Sequence, residues 1–312
     1  MAKRALDRAK DAKQDEFYTR LEDVEQELDH YRNHFEGKVI YLNCDNPEFS
    51  AFWQYFRQNF DSFGLKKLMA THYASDGESS YMLMLEAQHD SNSPNIVREP
   101  LEGDGDFRSE ECIELLKEAD IVATNPPFSL FREFVAQLME YEKDFIILGN
   151  HNAFTYKEIF PLLKDNVLWT GYKNGGMAFR IPDYYPDKSS TYVGEDGHKY
   201  QKVGSICWFT NLEISKIHEE MVLTRFYEGN ESHYQEYDNF DGINVDVVKE
   251  IPMDYEGVMG VPITFLHNYS PDQFEIIRFR KGDDGKDLRF KDGREPYFRV
   301  LVRNKQPVTK KK

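Results

Sequence analysis

The stretch from Asp120 to Phe131, DIVATNPPFSLF, places the strongest constraint on how this chain can fold. A short apolar run is followed by an asparagine, two prolines and a phenylalanine, and a second apolar segment then begins. Pro126 and Pro127 have no backbone N–H and fix φ, so neither can continue the hydrogen-bond ladder of a central strand. The sequence therefore predicts that the chain leaves a buried strand in a stiff, extended conformation.

This rigid turn fixes two hydrogen-bond acceptors, the side-chain oxygen of Asn125 and the carbonyl of Pro126, beside the ring of Phe128. An exocyclic amine stacked on that ring would donate both of its hydrogens to the two acceptors. Its nitrogen lone pair would then be localised and aimed at an electrophilic methyl group. The position of the motif, after an apolar strand and before an amphipathic helix, favours this chemistry over a simple loop.

Strand and helix patterns alternate along the first half of the chain. Residues 15–35 have apolar side chains at spacings of three and four, which predicts an N-terminal amphipathic helix. The alternation predicts an α/β fold with a doubly wound, mostly parallel sheet. The predicted strands are KVIYLN, LKKLMATHY, SYMLMLEAQ, DIVATN and DFIILGN, and the predicted helices are FSAFWQYFRQNF, EECIELLKEA and SLFREFVAQLMEY.

In such sheets, ligands bind beyond the carboxyl ends of the strands. One predicted strand ends in Asn43-Cys44-Asp45-Asn46-Pro47, and the sequence has no G-x-G-x-x-G phosphate cradle. Small acidic and amide side chains suit a ligand with an amino acid end and ribose hydroxyls better than one with a pyrophosphate. A polar turn that caps a helix is the alternative interpretation.

Composition limits the class of protein. The N-terminus has no apolar signal segment, and no stretch approaches the roughly 20 apolar residues of a membrane span, which predicts a soluble cytoplasmic protein. Cys44, Cys112 and Cys207 are scattered without C-x-x-C spacing, so neither a disulfide framework nor a zinc site or other metal centre is indicated.

The net charge of -16 argues against a polyanionic partner, but the charge is segregated. Residues 273–312 contain thirteen Lys or Arg and six Asp or Glu, a net charge of +7, so the rest of the chain carries -23. This basic segment is either a solvated tail or a surface that faces nucleic acid.

Asn-Pro-Pro-Phe resembles the (D/N/S)-PP-(Y/F) motif of methyltransferases that modify exocyclic nitrogens of nucleobases with S-adenosylmethionine. The chain as a whole resembles the EcoRI modification methyltransferase family of adenine-specific DNA methyltransferases. The segments that carry the resemblance are DEFYTRLEDVEQEL, KVIYLNCDNPEFSAFW, EGDGDFRSEE, DIVATNPPFSLFREF, VGSICWFTNLE and GVMGVPITFLHNYSPDQFEII.

The resemblance implies a Rossmann-like, S-adenosylmethionine-dependent methyltransferase domain over residues 1–212 and a target-recognition, DNA-binding region over residues 213–312. It implies that Asp106 accepts a hydrogen bond from the cofactor's adenine and that Phe107 lies against that ring. The implied catalytic residues are Asn125, Pro126, Pro127 and Phe128, and the implied cofactor-binding residues are Phe17, Tyr18, Thr19, Asn43, Cys44, Asp45, Asp106 and Phe107.

The C-terminal region alternates basic and aromatic residues, so its cations are candidates for phosphate contacts and for reading guanine. The predicted DNA-binding residues are Arg278, Arg280, Lys281, Arg289, Lys291 and Arg294. Trp208 and Phe209 fall in an apolar strand, which favours a core position over a second wall for a flipped base.

The expected reaction is methyl transfer from S-adenosylmethionine to N6 of a flipped adenine in double-stranded DNA, within a bacterial or phage-encoded restriction-modification system with a possible cognate endonuclease. A C5-cytosine enzyme would need a nucleophilic thiol, typically in a Pro-Cys pair, and the three cysteines follow Asn, Glu and Ile. The alternatives are an N4-cytosine methyltransferase, a protein-glutamine methyltransferase and a non-enzymatic acidic binding protein.

Overall fold

The structure is a computed structural model that describes residues 18–44, 46–74, 79–87, 95–280 and 287–308. Phe17, Asp45 and Lys281, three of the predicted site residues, lie outside this set. The chain divides into two compact units, one of residues 1–153 with 171–212 and one of residues 154–170 with 213–312. The predicted domain boundary lies at 212–213, and the structure additionally groups residues 154–170 with the C-terminal unit.

The first unit is built around an eight-stranded sheet, counted over the described residues, in the order β5-β4-β3-β2-β6-β7-β12-β8. Its strands are β2 (Val39–Leu42), β3 (Lys67–His72), β4 (Tyr81–Glu86), β5 (Ile96–Pro100), β6 (Ile121–Thr124), β7 (Asp144–Asn150), β8 (Trp169–Asn174) and β12 (Ile206–Thr210). β2, β6 and most of β7 are buried, which explains their nearly continuous apolar sequences.

The four central strands, β3, β2, β6 and β7, are parallel to one another. The predicted parallel arrangement does not extend to the edges, because β4 pairs antiparallel with β3, β5 antiparallel with β4, and β12 antiparallel with β7. The β3–β4 connection, residues 73–80, is shorter than the dozen or more residues that a parallel crossover requires. The strand SYMLMLEAQ therefore returns beside its predecessor in the opposite direction.

Helices pack on both faces of this sheet. They are α2 (Ala51–Gln58), α3 (Glu110–Glu118) and α4 (Phe131–Glu140). On β12, Trp208 lies edge-on to Phe52 of α2, and its neighbour Phe209 contacts Phe131 of α4. Because successive side chains of a strand point to opposite faces, α2 and α4 cover opposite sides of the sheet. Both β12 aromatics are fully buried, which confirms their predicted core position.

The predicted helix over residues 15–35 is only partly present. The structure has a short strand β1 (Tyr18–Thr19), then α1 (Leu21–Leu28) and a 3-10 helix Asp29–His34. Aromatic and β-branched residues favour strands, and β1 pairs antiparallel with β9 (Met177–Arg180). β1 and β9 join β11 (Lys199–Val203) and β10 (Thr191–Val193) in a second sheet of order β1-β9-β11-β10.

The second unit contains a third sheet of order β13-β14-β16-β15, where β13 (Ile243–Asn244) and β14 (Met259–Pro262) are parallel. β16 (Arg299–Asn304) pairs antiparallel with both β14 and β15 (Phe274–Arg280). The short helix α5 (Phe160–Lys164) packs against β15. The remaining helical segments of the described residues are 3-10 turns at Phe128–Leu130, His151–Thr155, Ser215–His218, Glu231–His233, Val248–Glu250 and Ile263–Asn268.

Within the described ranges, none of the helices has the length and apolar character needed to cross a membrane.

Candidate active site

Three of the predicted site segments lie at the carboxyl ends of neighbouring parallel strands of the first unit. β2 lies between β3 and β6, so the carboxyl ends of all three strands meet at one edge of the sheet. The polar turn that begins at Asn43 follows β2, residues 102–107 pass beside the end of β3, and Asn125 follows β6. After β2, the chain adds β3, β4 and β5 on one side of β2 and then adds β6 and β7 on its other side. The strand order therefore reverses between β2 and β6, and sheets of this kind bind ligands at such a switch point.

The register between β2 and β6 brings the two central motifs to the same level. Tyr41 is opposite Val122 in the parallel pair. If the same register is extended by two residues along both strands, Asn43 is opposite Thr124. Asn125 is the residue after Thr124. The predicted cofactor turn and the predicted catalytic motif are therefore neighbours at the sheet edge.

The Asn-Pro-Pro-Phe segment leaves the sheet in an extended conformation. Pro126 is buried and Asn125 and Phe128 are half-buried. Pro127 has φ -55° and ψ 122°, close to polyproline geometry, which confirms the extended backbone predicted there. The carbonyl of Pro127 accepts a hydrogen bond from the N–H of Leu130 at 2.9 Å, which closes the 3-10 turn that leads into α4.

Asn43 has the most unusual environment of the predicted site residues. Its side chain is only 2% exposed, yet neither the oxygen nor the nitrogen of its amide has a hydrogen-bond partner among the described residues. A buried polar group without a partner costs about 1–3 kcal/mol. An amide left in this state, at the carboxyl end of the first central strand, fits a bound ligand that offers both a donor and an acceptor.

The N-terminal strand β1 adds a second polar group to this region. The ring of Tyr18 lies edge-on to the ring of Phe49, 6.3 Å away, in the segment that follows the Asn43 turn. Thr19 is buried, and within the described chain its hydroxyl has no hydrogen-bond partner. Its backbone is held by the pairing with Phe179 of β9. The structure thus brings two of the predicted cofactor segments together.

The loop of residues 102–107 is held tightly against the end of β3. Gly105 has φ +79°, and a Cβ there would lie 2.3 Å from the carbonyl oxygen of His72, so only glycine fits. The carbonyl of Asp104 accepts a hydrogen bond from the N–H of Ala74 at 2.8 Å. The carboxylate of Glu111 on α3 accepts another from the N–H of Glu102 at 3.1 Å.

Asp106 and Phe107 are already engaged by neighbouring groups. The carboxylate of Asp106 accepts bonds from the backbone N–H and the guanidinium of Arg108, the shortest at 2.6 Å. Desolvation by burial raises the pKa of Asp106, but the hydrogen bonds from Arg108 outweigh it and leave the pKa below its ordinary value. Phe107 is 5% exposed and packs edge-on against Phe134 of α4. These contacts fix the orientation of the loop and leave little of the Phe107 ring accessible.

The described cations of the predicted DNA-binding set all lie in the second unit, at the end of β15 and in the segment that follows it. Three are exposed and lie near acids: Lys291 with Glu236 at 3.1 Å, Arg294 with Asp292 at 2.7 Å and Arg289 with Glu295 at 3.9 Å. Exposed pairs of this kind contribute about 0–1 kcal/mol, so they leave these cations able to exchange partners. Arg278 and Arg280 are on β15 itself.

The family described as adenine-specific methyltransferase EcoRI matches residues 5–308, nearly the whole chain. The chain belongs to this family.

Curated relatives of this EcoRI-family methyltransferase are similar over nearly their full length. The chain is 47% identical to the Type II methyltransferase M.EcoRI of Escherichia coli, with 96% of each chain covered. It is 41% identical to the Type II methyltransferase M.MpnI of Mycoplasma pneumoniae, with 97% of this chain and 99% of the relative covered. No solved structure matches the chain.

Family membership confirms the prediction of a DNA adenine methyltransferase and decides between the alternatives left open by the sequence. An N4-cytosine enzyme, a protein-glutamine enzyme and a non-enzymatic acidic protein are all inconsistent with an adenine-specific methyltransferase family that matches nearly the whole chain.

Sequence reasoning missed two buried acids of this methyltransferase, Asp23 and Glu27 on α1. The carboxylate of Glu27 accepts hydrogen bonds from the Tyr31 hydroxyl and from two backbone N–H groups of β8. Asp23 pairs with Arg20 and Lys173. The available signal was spacing, because Glu27 lies three residues after Val24 and four before Tyr31, on the apolar face of the helix.

Proposed function

We propose that this enzyme transfers a methyl group from S-adenosylmethionine to N6 of an adenine that is flipped out of double-stranded DNA. The observation that carries the proposal is the adjacency of the Asn43 turn and the Asn125 motif across β2 and β6. A cofactor bound over the first and a base held by the second would meet at one edge of the sheet, as the reaction requires.

The residues of the first unit fit S-adenosylmethionine. The buried amide of Asn43 and the buried hydroxyl of Thr19 need partners, and the amino acid end and ribose of the cofactor supply donors and acceptors. Asp106 has a carboxylate for the cofactor's adenine amino group, with Arg108 holding its orientation. When bound, the cofactor supplies an electrophilic methyl group on a sulfonium.

Asn125, Pro126 and Phe128 would act on the target base. The Asn125 side-chain oxygen and the Pro126 carbonyl accept the two N6 hydrogens, and the ring of Phe128 stacks on the base. The rigid extended geometry at Pro127 fixes these acceptors before the base arrives, so their orientation costs nothing at the moment of transfer. Flipping costs a few kcal/mol, which the stacking and the two hydrogen bonds offset.

In this proposal, residues 1–212 form a doubly wound, Rossmann-like methyltransferase domain and residues 213–312 form the target-recognition region. The sheet order, with the switch point between β2 and β6, supports the first part. The second part rests on the basic character of residues 273–312. Phosphate contacts are assigned to the six predicted cations, Arg278, Arg280, Lys281, Arg289, Lys291 and Arg294.

The biological setting belongs to the same proposal. Two relatives named Type II methyltransferases come from bacteria, which supports a cytoplasmic role in a bacterium or phage-infected cell. A cognate endonuclease that cuts the same site is the expected partner. Its action would be blocked by the methyl group.

Expression in a host that lacks adenine methylation tests the reaction directly. Sequencing of the host DNA should show methylated adenines within one short recurring sequence. Cells carrying the empty vector are the control. Unmodified DNA in cells that contain the folded, soluble enzyme would contradict the proposed function.

A further inference from the structure

A groove of about 400 Å³ lies within the second unit, between the segment that includes α5 and the end of β15. Its walls come from two distant parts of the sequence. The lining residues are Thr155, Tyr156, Lys157, Phe160, Pro161, Lys164, Ile277, Arg278 and Phe279.

The charge of this groove is opposite to that of the whole protein. Three of its described lining residues are cations and none is an acid, although the chain has 55 Asp and Glu against 39 Lys and Arg. A second groove of the same unit, about 460 Å³, has a balanced lining of Arg280, Asp287, Glu295 and Arg299 among its residues. Only the first groove has the charge that suits a polyanion.

Two of its cations are available to a ligand. Neither Lys164 nor Arg278 forms an ion pair with any residue of the described chain. Lys157 lies 3.7 Å from Glu158, but its side chain is 87% exposed, and pairs of this kind contribute little. A phosphate would meet three cations with little competition from carboxylates.

A β-bulge is responsible for the outward position of Arg278. In the pairing of β15 with β16, Ile276 is opposite Val302 and Arg278 is opposite Leu301, so Ile277 is the extra residue. Side chains of a strand alternate between its two faces, and Phe274 and Ile276 point to the buried face. Without the extra residue, Arg278 would point to that buried face as well. Bulges commonly re-aim a side chain beside a functional site, and this one moves a cation from the core face to the groove.

The lining of the groove includes three aromatic residues. The rings of Phe160 on α5 and Phe279 on β15 lie 5.4 Å apart, and Tyr156 adds a third ring to the lining. A lining that combines cations with aromatic rings suits a nucleic acid backbone, in which charged phosphates alternate with less polar sugars.

We propose that this groove binds the phosphodiester backbone of duplex DNA, so that Lys157 and Lys164 belong to the DNA-binding surface together with Arg278. The inference rests on the proposed function, because it assumes that DNA is the substrate. It adds a site from the middle of the chain, which the C-terminal basic segment does not include. The contacts to phosphate orient the duplex without reading its sequence.

The double variant Lys157→Gln/Lys164→Gln tests this site, with Arg225→Gln/Lys249→Gln as the matched control. The control removes two exposed cations of the same unit that lie outside both the groove and the basic segment 273–312. Affinity for a duplex is measured by titration between about 50 and 200 mM salt. Each phosphate contact contributes about -0.9 to the slope of log affinity against log salt concentration. Without the two lysine contacts, the fall in affinity between these salt concentrations should be about tenfold smaller for the groove variant than for wild type.

The control should keep the wild-type slope, and Lys157→Arg/Lys164→Arg should restore it because the charges return. S-adenosylmethionine affinity and melting temperature should match wild type in all three variants, which separates a lost contact from misfolding. If the groove variant has the same salt slope as the control, the proposed site is wrong. The proposed function still stands in that case, provided that the wild-type enzyme methylates DNA. A wild-type enzyme that neither binds nor methylates DNA overturns both.

Discussion

The carboxylate of Glu27 accepts a hydrogen bond from the backbone N–H of Tyr172 at 2.8 Å, although the two residues are 145 positions apart. The other oxygen accepts from the N–H of Lys173 at 2.7 Å, and the Tyr31 hydroxyl donates at 2.8 Å. Gly171 leaves room for this carboxylate, because a Cβ there would lie 2.1 Å from it. One buried acid thus fixes α1, and β1 just before it, to the edge strand β8.

Glu27→Ala should destabilise the protein by about 3 to 5 kcal/mol, because one buried and two part-buried donors lose their acceptor at about 1–3 kcal/mol each. Chemical denaturation followed by circular dichroism measures the loss. Glu22→Ala removes an acid of the same helix that is 66% exposed, and should change stability by less than about 0.5 kcal/mol. Equal effects of the two substitutions would contradict the assigned role of Glu27.

Asn125→Ala should reduce the methyl transfer rate by several orders of magnitude and leave S-adenosylmethionine affinity unchanged. In the proposed mechanism, the removed oxygen acts on the reacting nitrogen and not on the cofactor. Single-turnover kinetics and calorimetry measure the two quantities. Asn125→Asp keeps an acceptor oxygen and should retain more activity than Asn125→Ala. Near-normal turnover of the alanine variant would remove Asn125 from the catalytic assignment.

Asn43→Ala should weaken S-adenosylmethionine binding by about 1–3 kcal/mol, yet change the melting temperature of the ligand-free protein little. Among the described residues, the amide has no hydrogen-bond partner to lose, and in the proposed function it gains one from the cofactor. Asn211→Ala is the matched opposite, because its amide accepts from Phe145 N–H at 2.8 Å and donates to the Lys143 carbonyl at 3.0 Å. It should lower the melting temperature and leave cofactor affinity unchanged. Unaltered cofactor binding in Asn43→Ala would argue against Asn43 as a ligand-binding residue.

Arg289→Ala/Lys291→Ala should lower DNA affinity and flatten its log-log salt dependence by about two. Both cations are exposed, and within the described part of the chain their ion pairs are with the exposed acids Glu295 and Glu236. Arg303→Ala removes a similarly paired cation that is outside the predicted set, and should keep the slope. Superimposable titration curves for the double variant and wild type would exclude these two residues from the DNA-binding surface.

His151 should make the protein less stable in mild acid. Desolvation by burial lowers its pKa below the ordinary 6.5, so the unfolded chain takes up the proton first as the pH falls. Its contribution to stability is complete above about 6.5 and is lost as the pH falls through the lowered, folded-state value. Between pH 7 and 5, the melting temperature of wild type should therefore fall more than that of His151→Gln.

His218 provides the opposite control. Hydrogen bonds to Asp272 and Glu213 raise its pKa, so its contribution is present below about 6.5 and is lost as the pH rises through the folded-state value. Protonation of His218 therefore stabilises the folded protein as the pH falls. Without this gain, the melting temperature of His218→Gln should fall more steeply toward acid than that of wild type. Parallel pH profiles for wild type and His151→Gln would show that His151 does not titrate in this way.

Local patterns in the sequence predicted the elements that depend on near neighbours. The strand Asp144–Asn150 and the helices at residues 51–58, 110–118 and 131–140 are where periodicity placed them. Ser50 and Ser109 accept hydrogen bonds from the N–H groups of Trp53 and Cys112, so two helix starts are set by capping residues three positions away. The extended turn at Pro127 follows from the proline ring itself.

Pairings between distant residues were decided only by the tertiary structure. Tyr18 and Thr19 continue an apolar helical pattern, but β9 offers them a strand edge, and they pair with Arg180 and Phe179 instead. The direction of β4 follows from the length of its connection to β3, which the apolar pattern does not encode. Tertiary packing overrode local propensity at both places.

By itself, the sequence determined the motif to which we assign the chemistry, because an asparagine and two prolines after a buried strand are defined by covalent structure and need no partner elsewhere. Only the tertiary structure decided which groups surround that motif. The order of the strands sets Asn43 beside the Asn125 segment, and burial removes the water that would otherwise satisfy its amide. Strand order and burial depend on contacts between residues that are far apart in the chain. A local sequence pattern contains information only about contacts between residues that are close together in the chain.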